Sequence, residues 1–338
     1  MEEEVATTLW RSTALCDWIV VGAFMISLFV ANTDNSWFDF LASEQDLKEV
    51  NFWWPGETNF RALQAGEILA FRLKSPRNKI GGFGVFSSHS RLPIQMAWEA
   101  FGRGNGVASL EGLRNSIAQL RTNIAVVPST DIGSTVLVQP TFFPPERWFD
   151  VPKSWSSSIQ RGKRYSADEA EGLQLWNKLL DTANASGGRP GFSSPDQTPF
   201  LAPGRERFGT PALITPRLGQ GAFRIAVTEA YGRQCAITKG KVLPALDAAH
   251  IKPYGEGGEH TKSNGILLRK DIHSVFDAGY VTIKDDFTFS VSKKVKEVFN
   301  NGEEYLRLHG SVVSRPDRKL DWPDVELLRW HNKERYLG

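Results

Sequence analysis

Three residues near the C-terminus have side chains suited to moving a proton and holding a cation: His250, Asn264 and His273, spaced by 14 and 9 residues. His250 closes the run Asp247-Ala-Ala-His250 and is followed by Ile-Lys252-Pro253. Asn264 precedes Gly265, and His273 stands in Asp271-Ile-His273-Ser-Val-Phe-Asp277. An imidazole titrates near neutrality, so it can take a proton from water at physiological pH. A His nitrogen combined with carboxylate oxygens suits Mg, Mn, Ni or Zn, and ligand type alone does not choose among them. A proton acceptor beside such a cation is equipment for hydrolysis.

The surrounding pattern sets these groups on regular elements. A strand through Leu246–Ile251 should stop at Pro253, and a polar, glycine-rich loop follows to Ser263. Arg269 to Ala278 reads as a helix with Ile272, Val275 and Phe276 as its buried stripe and Gly279 as its cap. His273 and Asp277, four residues apart, then project from one side of that helix. Period two places Asp247 on the strand face of Ala249. Upstream, Ala222 to Tyr231 reads as a helix with Phe223, Ala226, Val227 and Ala230 inward, ended by Gly232.

This segment resembles the HNH, or ββα-metal, endonuclease family. The resemblance spans residues 215–338 and rests also on Gly219-Gln-Gly-Ala-Phe-Arg224, Cys235-Ala-Ile-Thr238, Asn264-Gly-Ile-Leu-Leu-Arg269 and Leu327-Leu-Arg-Trp-His331. It implies a single divalent cation, His250 as general base, Asn264 holding and orienting the loop, and His273 as a metal ligand. Many family members place a metal-binding Asp or His directly before the base, where this chain has Ala249. Asp247 and Asp277 are therefore equal candidates for the second protein ligand, with water completing the shell. Arg224 and Arg269 are expected on the DNA backbone or on a carboxylate, and Lys252 on the DNA backbone.

A chain of 338 residues, 41% hydrophobic and 23% charged, accommodates two globular domains. Residues 1–24 read as an N-terminal extension, 25–183 as one domain, 184–214 as a Pro- and Gly-rich flexible linker, and 215–338 as the second domain. Two distant cysteines, Cys16 and Cys235, offer no zinc or disulfide framework and fit a reducing cytoplasm. The apolar run Trp18–Ala31, 14 residues long, falls short of the roughly 20 needed to span a bilayer. It reads as a helix end running into a strand, and no membrane partner is expected. A net charge of +2 gives no global attraction to nucleic acid, although basic clusters occur at Arg161–Arg164, Arg205–Arg207 and Lys293–Lys296.

In the first domain, strands are expected at Ile26–Val30, Ile68–Leu73, Gly82–Ser87 and Thr135–Gln139. Helices are expected at Ile94–Phe101, Ser109–Leu120 and Ala167–Ala183, the last with Leu173, Trp176, Leu179 and Leu180 on one face. Gly81-Gly-Phe-Gly84 lacks dinucleotide-motif spacing and reads as a tight turn. The stretches Asn32-Thr-Asp-Asn-Ser-Trp37-Phe-Asp-Phe-Leu41, Val50-Asn-Phe-Trp53-Trp54-Pro-Gly56 and Phe71-Arg-Leu-Lys-Ser-Pro76 resemble a PUA-like module of the EVE subgroup, whose curved barrels read modified bases. Reading a base at close range favours flipping it out and stacking it on aromatic faces. Trp37, Trp53 and Trp54 are the candidate aromatics, and Asn32, Asp34 and Ser43 the candidate hydrogen-bonding groups.

The fold class expected is thus α+β: a PUA-like (EVE-like) curved β-barrel with helices, followed by a ββα-metal HNH nuclease. The activity expected is that of a type IV-like, modification-dependent restriction endonuclease acting on double-stranded DNA that carries a 5-substituted cytosine. One site per chain cuts one strand, so a homodimer is expected, with the linker allowing a variable cut distance. The alternatives are an HNH nuclease whose first domain binds RNA, unmodified DNA or a nucleotide signal, and an inactive protein that only binds the modified base.

Overall fold

The computed structural model describes residues 26–338 apart from 57–58, 122–124, 187–212, 215 and 217. Cys16, Arg205, Arg207, most of the Trp18–Ala31 run and most of the expected linker lie outside the described residues. The fold class is α+β, as the sequence implies.

The first unit runs β1 (Ser27–Thr33), α1 (Asn35–Ser43), β2 (Glu49–Trp54), β3 (Ile68–Leu73), β4 (Lys79–Pro93), α2 (Ile94–Phe101), α3 (Leu110–Leu120), β5 (Asp131–Phe142), β6 (Phe149–Asp150), β7 (Gly162–Ser166) and α4 (Ala170–Ala185). Its strands form one sheet in the order β2-β5-β4-β3-β1-β7, with β6 added against β4. Only β1 and β3 pair in parallel; the other pairs are antiparallel. Register shifts between Phe83/Val85 and Phe86/Ser88 break the β4–β5 ladder, and such irregularities increase local twist.

Two expectations are corrected here, for Gly81–Gly84 and for the buried face of α4. Gly81–Gly84 lies inside β4 and is not a turn. A Cβ on Gly82 would sit 2.2 Å from the Thr141 carbonyl oxygen, and one on Gly84 2.9 Å from Leu137, so close backbone approach is what requires glycine. Trp37 lies on helix α1, which Asp34 caps by accepting from the Ser36 and Trp37 amides. On α4 the buried face is Leu175, Trp176, Leu179 and Ala183, while Leu173 is 38% exposed.

The second unit begins with α5 (Gln220–Ala230) and continues through β8 (Leu246–His250), β9 (Gly265–Arg269), α6 (Lys270–Asp277), β10 (Val281–Ile283), β11 (Phe289–Val291), α7 (Lys294–Phe299), α8 (Glu303–Leu306) and α9 (Val325–Glu334). β8 and β9 pair antiparallel, with Ala249 opposite Ile266 and His250 opposite Gly265. Helix α6 follows β9 at once and packs Ile272 and Phe276 into this unit's core.

Helix α5 belongs to both units. Phe223 and Val227 join the second core, whereas Ala222 and Ile225 join the core of the first unit. The sequence pattern showed only one of these faces. The first unit also caps the helix: the Glu49 carboxylate on β2 accepts hydrogen bonds from the Gly221 and Ala222 amides at 2.6 and 2.9 Å. A carboxylate there satisfies amides with no intrahelical partner and complements the helix dipole. No helix among the described residues is long and apolar enough to cross a membrane.

Candidate active site

His250, Asp247, His273 and Asp277 line one cavity of about 790 Å³. The first unit supplies part of its wall through Glu49, Glu99 and Ala100. The β8–β9 hairpin and α6 bring together residues up to 30 positions apart in sequence.

Asn264 holds the hairpin's long connection in shape. It is 1% exposed, its Oδ1 accepts from the Lys252 amide at 2.9 Å, and its Nδ2 donates to the carbonyls of Lys252 at 2.9 Å and Glu259 at 2.8 Å. Gly265 follows because a Cβ there would lie 2.3 Å from Val227 and 2.9 Å from the Phe223 ring. That close fit lets Phe223 stack on His250, with ring centroids 3.9 Å apart and planes 13° from parallel. Burial, then the neighbouring His260 and His273, lower the His250 pKa to about 4. The ring is therefore neutral at pH 7 and retains a lone pair.

His273 sits between two carboxylates. Its Nδ1 is 3.2 Å from Asp247 Oδ2, and its Nε2 is 3.2 Å from Asp277 Oδ2. Burial works to lower its pKa, but the hydrogen bonds and charges of Asp247 and Asp277 outweigh it and push the value up to about 9. At Asp247 burial works to raise the pKa, but the His273 contact and the Arg224 charge outweigh it and lower the value. Among the described residues no group of three or more His, Cys, Asp or Glu side chains has the arrangement of a complete metal cage. The donors present fit a divalent ion bound by two protein groups and several waters, a shell that Mg tolerates well. Because Asp247 and Asp277 face different nitrogens of His273, a cation on one nitrogen would have only one of these carboxylates beside it. Ala249 is fully buried and offers no donor.

Both expected backbone-binding arginines are engaged with carboxylates. Arg224 pairs with Glu99 at 3.1 Å and approaches Asp247 at 3.6 Å, and Arg269 pairs with Asp271. Lys252 places its ammonium 5.5 Å from the Trp330 ring centre.

The six expected base-pocket residues are largely used by the fold itself. Trp37 is 6% exposed and packs edge-on against Phe52 and Phe71. Trp54 is 9% exposed and donates to Thr135, while the part-buried Trp53 donates to the Asn105 carbonyl. Asn32 bonds the carbonyls of Ile159 and Gln160 and accepts from Arg72. Asp34 caps α1, and Ser43 donates to the Phe40 carbonyl at that helix's exposed end.

Sequence reasoning missed Glu49, Glu99, Phe223 as a stacking partner, and His260, whose Nδ1 lies 2.9 Å from His250 Nε2. None of these has a spacing signal, because each reaches the site through tertiary packing.

Residues 235–284 match a family model described as HNH endonuclease. No curated protein matches the chain. Among solved structures, a single-residue mutant of the ZmASCH protein from Zymomonas mobilis is similar at a TM-score of 0.33 and 9% identity, covering 45% of this chain and 97% of its own. A structure described as modification dependent TagI restriction endonuclease is similar at 0.29 and 13% identity, covering 92% of this chain and 81% of its own. The C-terminal part of the molecule, centred on residues 235–284, therefore carries an HNH endonuclease domain.

Proposed function

We propose that the protein is a metal-dependent DNA endonuclease that cuts DNA bearing a modified base, in the manner of a modification-dependent restriction enzyme. The observation that carries the reading is the convergence of His250, His273, Asp247 and Asp277 on one cavity within the HNH domain. In this reading His250 takes the proton of the attacking water, and Asn264 keeps its strand and loop in register. His273, with Asp247 or Asp277, would hold the divalent ion. When bound, that ion stabilises negative charge on the phosphate and the leaving oxygen.

The resemblance of residues 25–160 to PUA-like modules supports the first unit as the reader of a 5-substituted cytosine. Its placement as the cavity's second wall supports a cut made close to the grip. Since α5 is packed into both cores, the cut should fall at a fixed offset from the base that is read, and not at the variable distance a free tether would give. Double-strand cleavage then requires a homodimer or two binding events. The cysteine usage supports action in the cytoplasm.

The test is digestion of plasmids carrying 5-methyl-, 5-hydroxymethyl- or glucosylated cytosine, 6-methyladenine or no modification, with Mg, Mn, Ni or Zn added after EDTA treatment. Cutting confined to modified-cytosine plasmids, restored by a divalent ion and lost in His250→Ala, is expected. Equal cutting of plain DNA would reject the base-reading claim and leave the nuclease intact. No cutting of any DNA in any metal would reject both.

A further inference from the structure

We infer that His260 is a positioning residue for hydrolysis, holding the His250 imidazole in the tautomer whose Nδ1 lone pair faces the attacking water. The inference rests on the reading of His250 as general base. The contact between His250 Nε2 and His260 Nδ1, at 2.9 Å, is the one hydrogen bond the His250 side chain makes among the described residues. Two ring nitrogens at that distance share one hydrogen. Either His250 Nε2 donates, which leaves its Nδ1 unprotonated, or His260 Nδ1 donates, which puts the His250 hydrogen on Nδ1 and removes the lone pair needed for catalysis.

Several contacts hold His260 in place to act as the partner in the first arrangement. His260 lies flat on Tyr254, with ring centroids 4.6 Å apart and planes 2° from parallel, so its ring orientation is fixed. Asn264 binds the carbonyl of Glu259, the residue before it, so one amide side chain sets both the base strand and the loop carrying its partner. Burial and the nearby Lys48 of the first unit disfavour a charged His260, so one of its ring nitrogens keeps a lone pair, and the proposed arrangement places that lone pair on Nδ1. When His250 takes a proton at Nδ1, its Nε2–H bond to His260 becomes charge-assisted and about twice as strong. Interactions that strengthen on the way to the transition state are those that raise the rate. A histidine that only filled space beside Tyr254 would have no influence on the His250 tautomer.

The experiment compares wild type, His260→Ala, His260→Asn and His250→Ala. Asn is chosen because its side-chain oxygen reaches roughly where the Nδ1 acceptor lies. Single-turnover cleavage is measured at saturating protein on 5-methylcytosine plasmid with Mn, alongside DNA affinity without metal. His260→Ala should cleave about 10–100-fold more slowly at unchanged affinity, and His260→Asn should recover most of the loss. In metal-free protein labelled with nitrogen-15 at histidine, NMR should show the His250 hydrogen on Nε2 in wild type and His260→Asn. In His260→Ala that preference should be lost.

Cleavage by folded His260→Ala within threefold of wild type would overturn the inference. So would a wild-type spectrum placing the His250 hydrogen on Nδ1, and this arm needs neither activity nor a variant that folds. If His250→Ala cleaves normally, the general-base reading itself fails. If only His250→Ala is inactive, the base stands and His260 does not.

Discussion

Asn264→Asp changes one heavy atom at the point where the end of strand β8 and the following loop are tied together. In the protein the Asn264 amide nitrogen donates to two carbonyl oxygens, those of Lys252 and Glu259, while its oxygen accepts from the Lys252 amide. The substitution keeps the shape and the acceptor but turns the donor into an oxygen facing two others. Two hydrogen bonds, each worth about 0.5–1.5 kcal/mol net, are lost, and two part-buried carbonyls lose their donor. The ionised variant should therefore be weakened by about 3 kcal/mol near this loop. Protonating the introduced carboxyl restores one donor, so its folded-state pKa must lie above that of the unfolded chain. Between those two values the native variant binds more protons than the unfolded one, and its deficit relative to wild type must shrink as pH falls. The assay is amide hydrogen exchange at Lys252 in both proteins at pH 7.5 and pH 5, corrected for intrinsic rates. A deficit of about 3 kcal/mol corresponds to about 100-fold faster local exchange at the higher pH. Protection within threefold of wild type at pH 7.5, or a difference that widens on acidification, would refute the reasoning.

Three further outcomes are expected. His331 is 2% exposed, contacts Thr282 and the Phe276 carbonyl, and has its pKa lowered by burial from 6.5 to about 4. The native state therefore resists the proton that the unfolded chain accepts, and stability present above pH 6.5 falls by about 2 kcal/mol by pH 5. Urea midpoints of wild type and His331→Gln at pH 7 and 5 measure this, since His250 and His273 contribute equally to both proteins; a pH-dependent loss as large in the variant as in wild type would count against a neutral buried ring. Gly265→Ala should drive Phe223 off His250 and destabilise the domain by about 1–3 kcal/mol, read as a lower urea midpoint together with slower cleavage. Gly221→Ala puts a Cβ 2.3 Å from the Ala100 carbonyl oxygen and 2.8 Å from Glu49, wedging α5 away from the first unit. Mapped ends on DNA with a single modified base should form one sharp offset in wild type and a broader spread in this variant.

Part of the β8–β9 hairpin and the helix after it was legible in the residues. Pro253 after a short strand and an Ile272/Phe276 stripe capped by Gly279 are local signals, and β8 and α6 formed close to where these place them, whereas the second strand, β9, was not read from the sequence. His273 and Asp277 share a helix side because a four-residue step nearly completes a turn. The first unit was harder to read from its motifs. Trp37, offered as a base-pocket aromatic, is packed into the core instead, and Gly81–Gly84 looked like a turn because glycine is needed both for turns and for close strand contacts.

The chain's own order of residues determined the period-two strand, the period-3.6 helices and the set of side chains able to do acid–base and cation chemistry, since these depend on neighbours a few positions away. Only the tertiary structure decided that α5 serves two cores, that Glu49 caps it from 172 and 173 positions away, and that His260 rather than a backbone group meets His250. Such pairings depend on how separate surfaces close on one another, and no local periodicity encodes that geometry.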